Sequence, residues 1–290
     1  MIRAVIESLR PRHYTKNLLL FVGVIFSQHF FSIQYLLKSA AAFVVFCLLS
    51  GSVYLLNDIA DIENDRAHPE KNKRPLASGR LGKRPAVITM IILSISSLTC
   101  AFLLDVSFGI ISSFYFVMIV AYSFLLKNIV ILDIMVIALG FILRAVAGAL
   151  VIHVEISSWL LICTTFLALF LAMCKRRHEL VLLGNKSGNH RKILFEYTPQ
   201  LLDQMIAAVT ASAVMSYALY TTSPETVEKF GTRNMIFTLP FVIYGIFRYL
   251  YLVHKKQLGG SPEMIFTRDR SMILNVFLFF IVILIVLYVR

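Results

Sequence analysis

The sequence predicts an all-α membrane protein of nine transmembrane helices with its N-terminus in the cytoplasm, and three observations carry that prediction. Apolar residues make up 58% of the 290 and charged ones only 15%, a composition too greasy for a water-soluble domain of this length. Nine runs are mostly apolar over the roughly 20 residues that a helix needs to cross hydrocarbon. They lie near 17–36, 39–57, 86–104, 108–126, 129–152, 156–174, 205–222, 234–253 and 271–289. Lys and Arg alternate across the intervening loops: four precede the first run, seven follow the second, one the fourth, six the sixth and four the eighth. The opposite loops hold only Lys38, Lys229, Arg233 and Arg290, and this bias marks the rich side as cytoplasmic and leaves the C-terminus outside.

In chain order, the arm "MIRAVIESLRPRHYTKN" is basic but has no short apolar core leading to a small-residue cleavage site, so the first run is expected to remain as a span. The second run, "AAAFVVFCLLSGSVYLL", ends abruptly in "NDIADIENDRAHPEKNKRP". The fifth contains Asp133 and Arg144, the sixth opens on Trp159, which suits an interfacial anchor, and the eighth contains Arg248. Cys47, Cys100, Cys163 and Cys174 sit in or at the ends of apolar runs without metal-ligand spacing, which argues against a disulfide or zinc framework. The longest polar stretches are 58–85 and 175–204, with a shorter one at 254–270. The chain is therefore expected to form one membrane domain over 1–290. The two longest stretches follow the second and sixth runs, which hints at a duplicated four-helix unit with a ninth helix added.

The net charge of +12 could point to nucleic acid, but the basic residues lie in loops at one membrane face, where anionic lipid headgroups attract them. Nucleic acid is not an expected partner; membrane lipid is.

The charged end of the second run is the chemical signal. If that helix continues at about 100° per residue, Asp58, Asp61 and Asp65 fall within roughly 60° of one another, with Asn57 at the edge of the acidic face and Glu63 on the other side. Acidic side chains at a helix C-terminus oppose the macrodipole. Packed carboxylates also repel unless a cation joins them, and Mg²⁺ is the hard ion that takes one or two carboxylates together with phosphate oxygens. Asn57, Asp58, Asp61 and Asp65 are thus the expected metal set, with a phosphate ester or diphosphate as guest. Arg66, His68, Lys71, Lys73 and Arg74 follow and offer donors to phosphate oxygens, although each taken singly could equally serve a lipid headgroup.

Other charges are placed where charge is costly. Asp133 and Arg144 are about 16 Å apart along one helix, too far to pair directly, so each marks either a functional site or a bridge to another helix. Arg248 either functions or snorkels. "CKRRHEL", with Lys175, Arg176, Arg177 and Glu179, and "GGSPEMIFTRDR", with Arg268, Asp269 and Arg270, lie on the acidic cluster's side as ordinary basic loops or as parts of a phosphate pocket.

"NDIADIENDR", followed by "RP" and "SG", resembles the first aspartate-rich motif of the UbiA superfamily of intramembrane prenyltransferases, and "YSFLLK" is similar to its segment after the fourth helix. The resemblance implies nine helices around a central cavity. Members that transfer a prenyl group carry a second aspartate-rich motif after the sixth helix, where this chain has "CKRRHELVLLGNKSGNHRK". Together with "RPRHYTKN", "LD" before "RAVAGA", and "PE" before "RDR", that departure resembles the decaprenyl-phosphate phosphoribosyltransferase branch.

The resemblance implies an Mg²⁺-dependent transfer of 5-phosphoribose from phosphoribosyl diphosphate (PRPP) to a polyprenyl phosphate such as decaprenyl phosphate. Diphosphate is released, in an early step toward lipid-linked arabinofuranose for cell-envelope glycans. It further implies a multi-pass protein of the bacterial inner membrane, open to homo-oligomer formation. On that reading Asp58, Asp61 and Asp65, with Asn57, hold the metal and the donor's diphosphate, and Arg66, Lys73, Arg74, Lys175 and Arg176 neutralise the rest. Lys16, Tyr122, Lys127 and Arg144 position the lipid phosphate or the ribose 5-phosphate, and Asp133 orients a cation or a ribose hydroxyl; Arg268 and Arg270 rank below them. The rival readings are a prenyltransferase joining a prenyl diphosphate to an aromatic or other small acceptor, and a transporter with the acidic cluster as its ion site.

Overall fold

A computed structural model describes residues 2–67, 71–183, 192–256, 259 and 262–288, and everything in it is helix, turn or coil. His68, from the basic run after the aspartates, lies outside the described residues, as does most of the second half of the "CKRRHEL" loop. The chain divides into two compact units, the first built on Met1–Ile156 and the second on residues 157–187 and 194–290. Among the described residues, eight helices are long and apolar enough to cross a membrane, four in each unit.

The first unit opens with α1 (Ile2–Leu9), a 3₁₀ segment over Pro11–Phe21 and a short α2 (Val22–Phe26). It continues with α3 (Ile33–Ala60), α4 (Ile62–Ala67), α5 (Lys83–Leu104), α6 (Val106–Phe124) and α7 (Leu132–Leu150). The span expected at 17–36 does not form as one helix. Ser27, Gln28 and His29 interrupt the apolar run, Gln28 takes a left-handed φ of 62°, and the residues from Ile33 onward join α3 instead. At about 2.0 Å per residue for 3₁₀ and 1.5 Å for α, Pro11–Phe26 still extends about 30 Å, the thickness of a bilayer core.

Two glycines let the 3₁₀–α2 segment lie hard against α7. A Cβ on Gly148 would stand 2.1 Å from the carbonyl oxygen of Leu20, and one on Gly23 would stand 2.9 Å from Cα of Ala149. The core here is Leu20, Val24, Phe46, Leu49, Phe108, Tyr115, Leu143 and Ala147. α3 packs along α5, and α6 lies against both α5 and α7. With 28 residues α3 is about 42 Å long, some 12 Å more than hydrocarbon requires, which takes its polar end, Asn57–Ala60, clear of the lipid.

The second unit holds α8 (Ser158–Leu183), α9 (Pro199–Thr222), α10 (Pro224–Phe230), α11 (Leu239–Lys256), α12 (Pro262–Arg268) and α13 (Arg270–Tyr288). α8 packs along α9, and α11 along α13. α8 runs past the expected end at residue 174, so "CKRRHEL" is helical rather than loop. Two of its arginines have acidic partners nearby: Arg176 donates to Glu179 at 2.6 Å, a turn away, and Arg177 pairs with Asp203 on α9. Arg248 makes two hydrogen bonds to Asp269, at 2.8 and 3.1 Å, and Asp269 also accepts the backbone N–H of Met272 at 2.9 Å, capping α13. Arg248 is therefore an ion-pair partner rather than a snorkelling side chain.

Candidate active site

The acidic site grows from the way α3 ends. Asp61 sits between α3 and α4 with φ −105° and ψ 16°, while its N–H bonds the carbonyl of Asn57 at 3.0 Å and its own carbonyl accepts the N–H of Asp65 at 2.8 Å. The backbone thus carries the helical hydrogen-bond pattern across the bend, but the three carboxylates do not share one partner set. Asp58 is 2% exposed, and one of its oxygens, Oδ1, accepts both from Arg10 and, at 3.2 Å, from Nη1 of Arg74. That same Nη1 donates to Oδ2 of Asp65 at 2.6 Å, so one guanidinium joins two carboxylates two turns apart. Asp61 takes a different cation, Nζ of Lys127 at 2.6 Å.

Arg10 is the partner of Asp58 that sequence reasoning missed. It stands between α1 and the 3₁₀ segment with φ 53° and ψ 61°, a left-handed conformation that costs energy for a side chain with a Cβ and that surrounding contacts must hold in place. Burial pushes its pKa below the usual arginine value, opposed by the Asp58 carboxylate. The sequence carried no specific signal for it: Arg10 and Arg74 both precede a proline and meet on Asp58, but Arg84 precedes Pro85 as well and does not. Beside this site, Arg80 clasps Glu7 with two hydrogen bonds of 2.8 and 2.9 Å and donates to the carbonyl of Lys73 at 2.6 Å, tying α1 to the 71–82 loop. The Arg80 hydrogen bond lowers the Glu7 pKa.

The other candidates are dispersed. Arg66 is exposed, bonded to Glu63 at 3.0 Å and to the carbonyl of Ala77, and Lys73 is exposed on its 3₁₀ turn. Asn57, Lys16 and Tyr122 are half-buried, and Tyr122 packs against the core of the first unit. Asp133 is fully buried in the first turn of α7. Arg144, on α7, bonds Asn17, Gly140 and Tyr115 rather than any acid. Lys175 and Arg176 belong to α8 in the second unit, Arg268 ends α12 and Arg270 begins α13.

Among the described residues no group of three or more His, Cys, Asp and Glu side chains is arranged to hold a metal ion, so the three-aspartate chelate is not assembled. The residues fit Mg²⁺ in a smaller way. Asp58 and Asp65 already flank one positive group, and Oδ2 of Asp58 is buried without a hydrogen-bond partner. A buried carboxylate oxygen left unsatisfied is the kind of hard donor that this ion takes, with phosphate oxygens completing its shell.

Fold and site together define a multi-pass helical membrane protein with a paired-carboxylate, arginine-lined site at the polar end of a long helix. Residues 18–267 match the UbiA prenyltransferase family, and the chain belongs to it. It is 32% identical over 282 residues to the decaprenyl-phosphate phosphoribosyltransferase of Mycolicibacterium smegmatis, covering 93% of this chain and 88% of that one. The protein of the same name from Corynebacterium glutamicum is 33% identical over 271 residues, 91% of this chain and 81% of its own. Among solved structures, a UbiA homolog from Archaeoglobus fulgidus bound to GPP and Mg²⁺ superposes with a TM-score of 0.73 at 20% identity, covering 99% of this chain and all of that one, a likeness of fold.

Proposed function

We propose that the protein transfers 5-phosphoribose from PRPP to a polyprenyl phosphate, decaprenyl phosphate being the acceptor that its relatives' name implies, and releases diphosphate. Residues 1–290 act as one catalytic domain in a bacterial inner membrane, with the acidic site facing the cytoplasm, where a water-soluble donor arrives. The observation that carries the reading is the pairing of Asp58 and Asp65 through Arg74, with Arg10 on the same carboxylate. Such a set can exchange internal ion pairs for a metal–diphosphate group without leaving charge unbalanced. Where prenyl-transferring members have a second acidic motif, this chain has Lys175, Arg176 and Arg177, which favours a sugar phosphate donor over a prenyl diphosphate.

Asp58 and Asp65, with Asn57 as a neutral oxygen ligand, would hold Mg²⁺, which when bound neutralises charge on the departing diphosphate. Arg10 and Arg74 turn from the carboxylates to the phosphate oxygens, where fixed cations stabilise the charge that develops as the C1–oxygen bond breaks. The diphosphate leaves with the bonding electron pair, and an oxygen of the acceptor phosphate forms the new bond to C1 with inversion. That phosphate is ionised at neutral pH, so no general base is required. Lys127, held by Asp61 at 2.6 Å, is a further cation for the donor or acceptor phosphate.

A prenyl diphosphate donor with a small aromatic acceptor is the second reading, favoured by the GPP-bound homolog of the same fold. Purified protein with Mg²⁺ is incubated in one tube with radiolabelled PRPP and polyprenyl phosphate, and in another with labelled prenyl diphosphate and 4-hydroxybenzoate. Lipid-extractable ribose label is expected in the first tube. Product only in the second overturns the proposal.

A further inference from the structure

Arg144 is 5% exposed within α7 and has no carboxylate partner among the described residues. An intramembrane arginine in that state costs several kcal/mol unless something compensates it, and the compensation here is specific. Nε donates to Oδ1 of Asn17 at 2.9 Å, Nη1 to the carbonyl of Gly140 at 2.6 Å and Nη2 to the hydroxyl of Tyr115 at 2.8 Å. The rings of Phe46, Tyr115 and Phe141 lie 4.9–5.7 Å from the guanidinium carbon. Asn17 is 1% exposed, and its amide is also held on α3: Nδ2 donates to Sγ of Cys47 at 3.2 Å, and Oδ1 accepts from Ser50 at 3.4 Å.

The segment that Asn17 belongs to needs such a clamp. Pro11–Phe21 is 3₁₀ for 11 residues, whereas runs beyond three or four are uncommon because the hydrogen-bond geometry is poor. Its N-terminal flank is Arg10, whose strained backbone aims the guanidinium at Asp58. We infer that Arg144 is a positioning residue: through Asn17 it latches the 3₁₀ segment between α3 and α7, and so sets where Arg10 and Lys16 stand for an anionic substrate, without touching that substrate itself. This assigns Arg144 a different part from the direct phosphate contact expected from the sequence, and it rests on the proposed function only for the identity of the substrate.

The test has an arm that needs no substrate. In protein carrying Cys100→Ser, Cys163→Ser and Cys174→Ser, maleimide labelling of buried Cys47 reports on the latch, because the Asn17 amide that Arg144 holds also donates to Cys47. Arg144→Lys, which keeps the charge and loses the fork, should label several times faster than the parent; an unchanged rate overturns the latch. In the turnover arm, Arg144→Lys and Asn17→Ala should each lower kcat/KM for PRPP about tenfold, the scale of one hydrogen bond to a charged group, because displaced Arg10 no longer meets the departing diphosphate. Their combination should be no worse than either alone. Asn17→Asp, which still accepts from Nε, should restore kcat/KM toward the parent value. Additive losses would instead make Arg144 a substrate contact. Should Arg144→Lys fail to fold, the Asn17→Ala and Asn17→Asp pair still decides the matter. Absence of any PRPP turnover in the parent sinks the proposed function, and the labelling arm still judges the latch.

Discussion

Asp58 concentrates the conflict on which the proposed chemistry depends. A carboxylate this buried is costly unless cations and hydrogen bonds surround it, and Arg10 and Arg74 meet that cost on one oxygen while the other has no partner. Arg74 is in the same position toward two acids, because its single Nη1 serves both Asp58 and Asp65. Asp58→Asn should therefore lower turnover about a hundredfold or more while the protein still inserts and purifies; near-parental rates measured in a donor-transfer assay would remove Asp58 from the mechanism. Arg74→Met leaves the two carboxylates facing each other without their bridge. It should tighten Mg²⁺ binding measured calorimetrically without donor, yet slow transfer, and unchanged Mg²⁺ affinity would count against the two acids forming a metal site. The acids and Arg74 were legible in the sequence because they lie within one short stretch. Arg10 was not, since its partner is 48 positions away and no spacing links the two ends.

At the scale of elements, the 3₁₀–α2 segment and its seat on α7 are the part of the first unit most sensitive to small changes. Gly148→Ala would put a methyl group 2.1 Å from the Leu20 carbonyl oxygen, backbone that cannot swing aside as a side chain would. A loss at or above the upper end of the usual overpacking range, about 1–3 kcal/mol, is expected in thermal or denaturant unfolding, and parental stability would show that the close approach is absent. The Glu7–Arg80 clasp adds a pH dependence at the opposite end. Arg80 lowers the Glu7 pKa, so the clasp's contribution is fully present above the unfolded glutamate value of about 4.3 and is lost as pH falls through the lower folded value. Hydrogen exchange in α1 should accelerate over that acid window in the parent but not in Glu7→Gln; a parent profile flat through the window contradicts the coupling. The apolar runs located the long helices but missed the polar ends by which α3, α8 and α9 overrun them, and they missed the break at Ser27–His29. That turn holds a left-handed Gln28, not the glycine or proline that usually announces one.

Across the whole molecule, charge asymmetry depends on loop composition and not on packing. It predicts the 58–85 stretch inside and the residue 229 region outside. Ser78→Cys should accordingly react with a membrane-impermeant maleimide only after permeabilisation, and Lys229→Cys in intact cells; the reverse pattern would invert the topology. The partners of Arg144, Arg177 and Arg248 depend on tertiary packing that no residue spacing reveals, whereas Arg176 meets Glu179 at the i,i+3 spacing of one helix. The central claim is that the polar end of α3 holds the diphosphate of the donor. Its most direct test is a map of the protein with Mg²⁺ and a non-hydrolysable PRPP analogue. The account predicts diphosphate density against Asp58 and Asp65, with Arg10 and Arg74 turned onto its oxygens; donor density elsewhere, with both arginines still on Asp58, would contradict it.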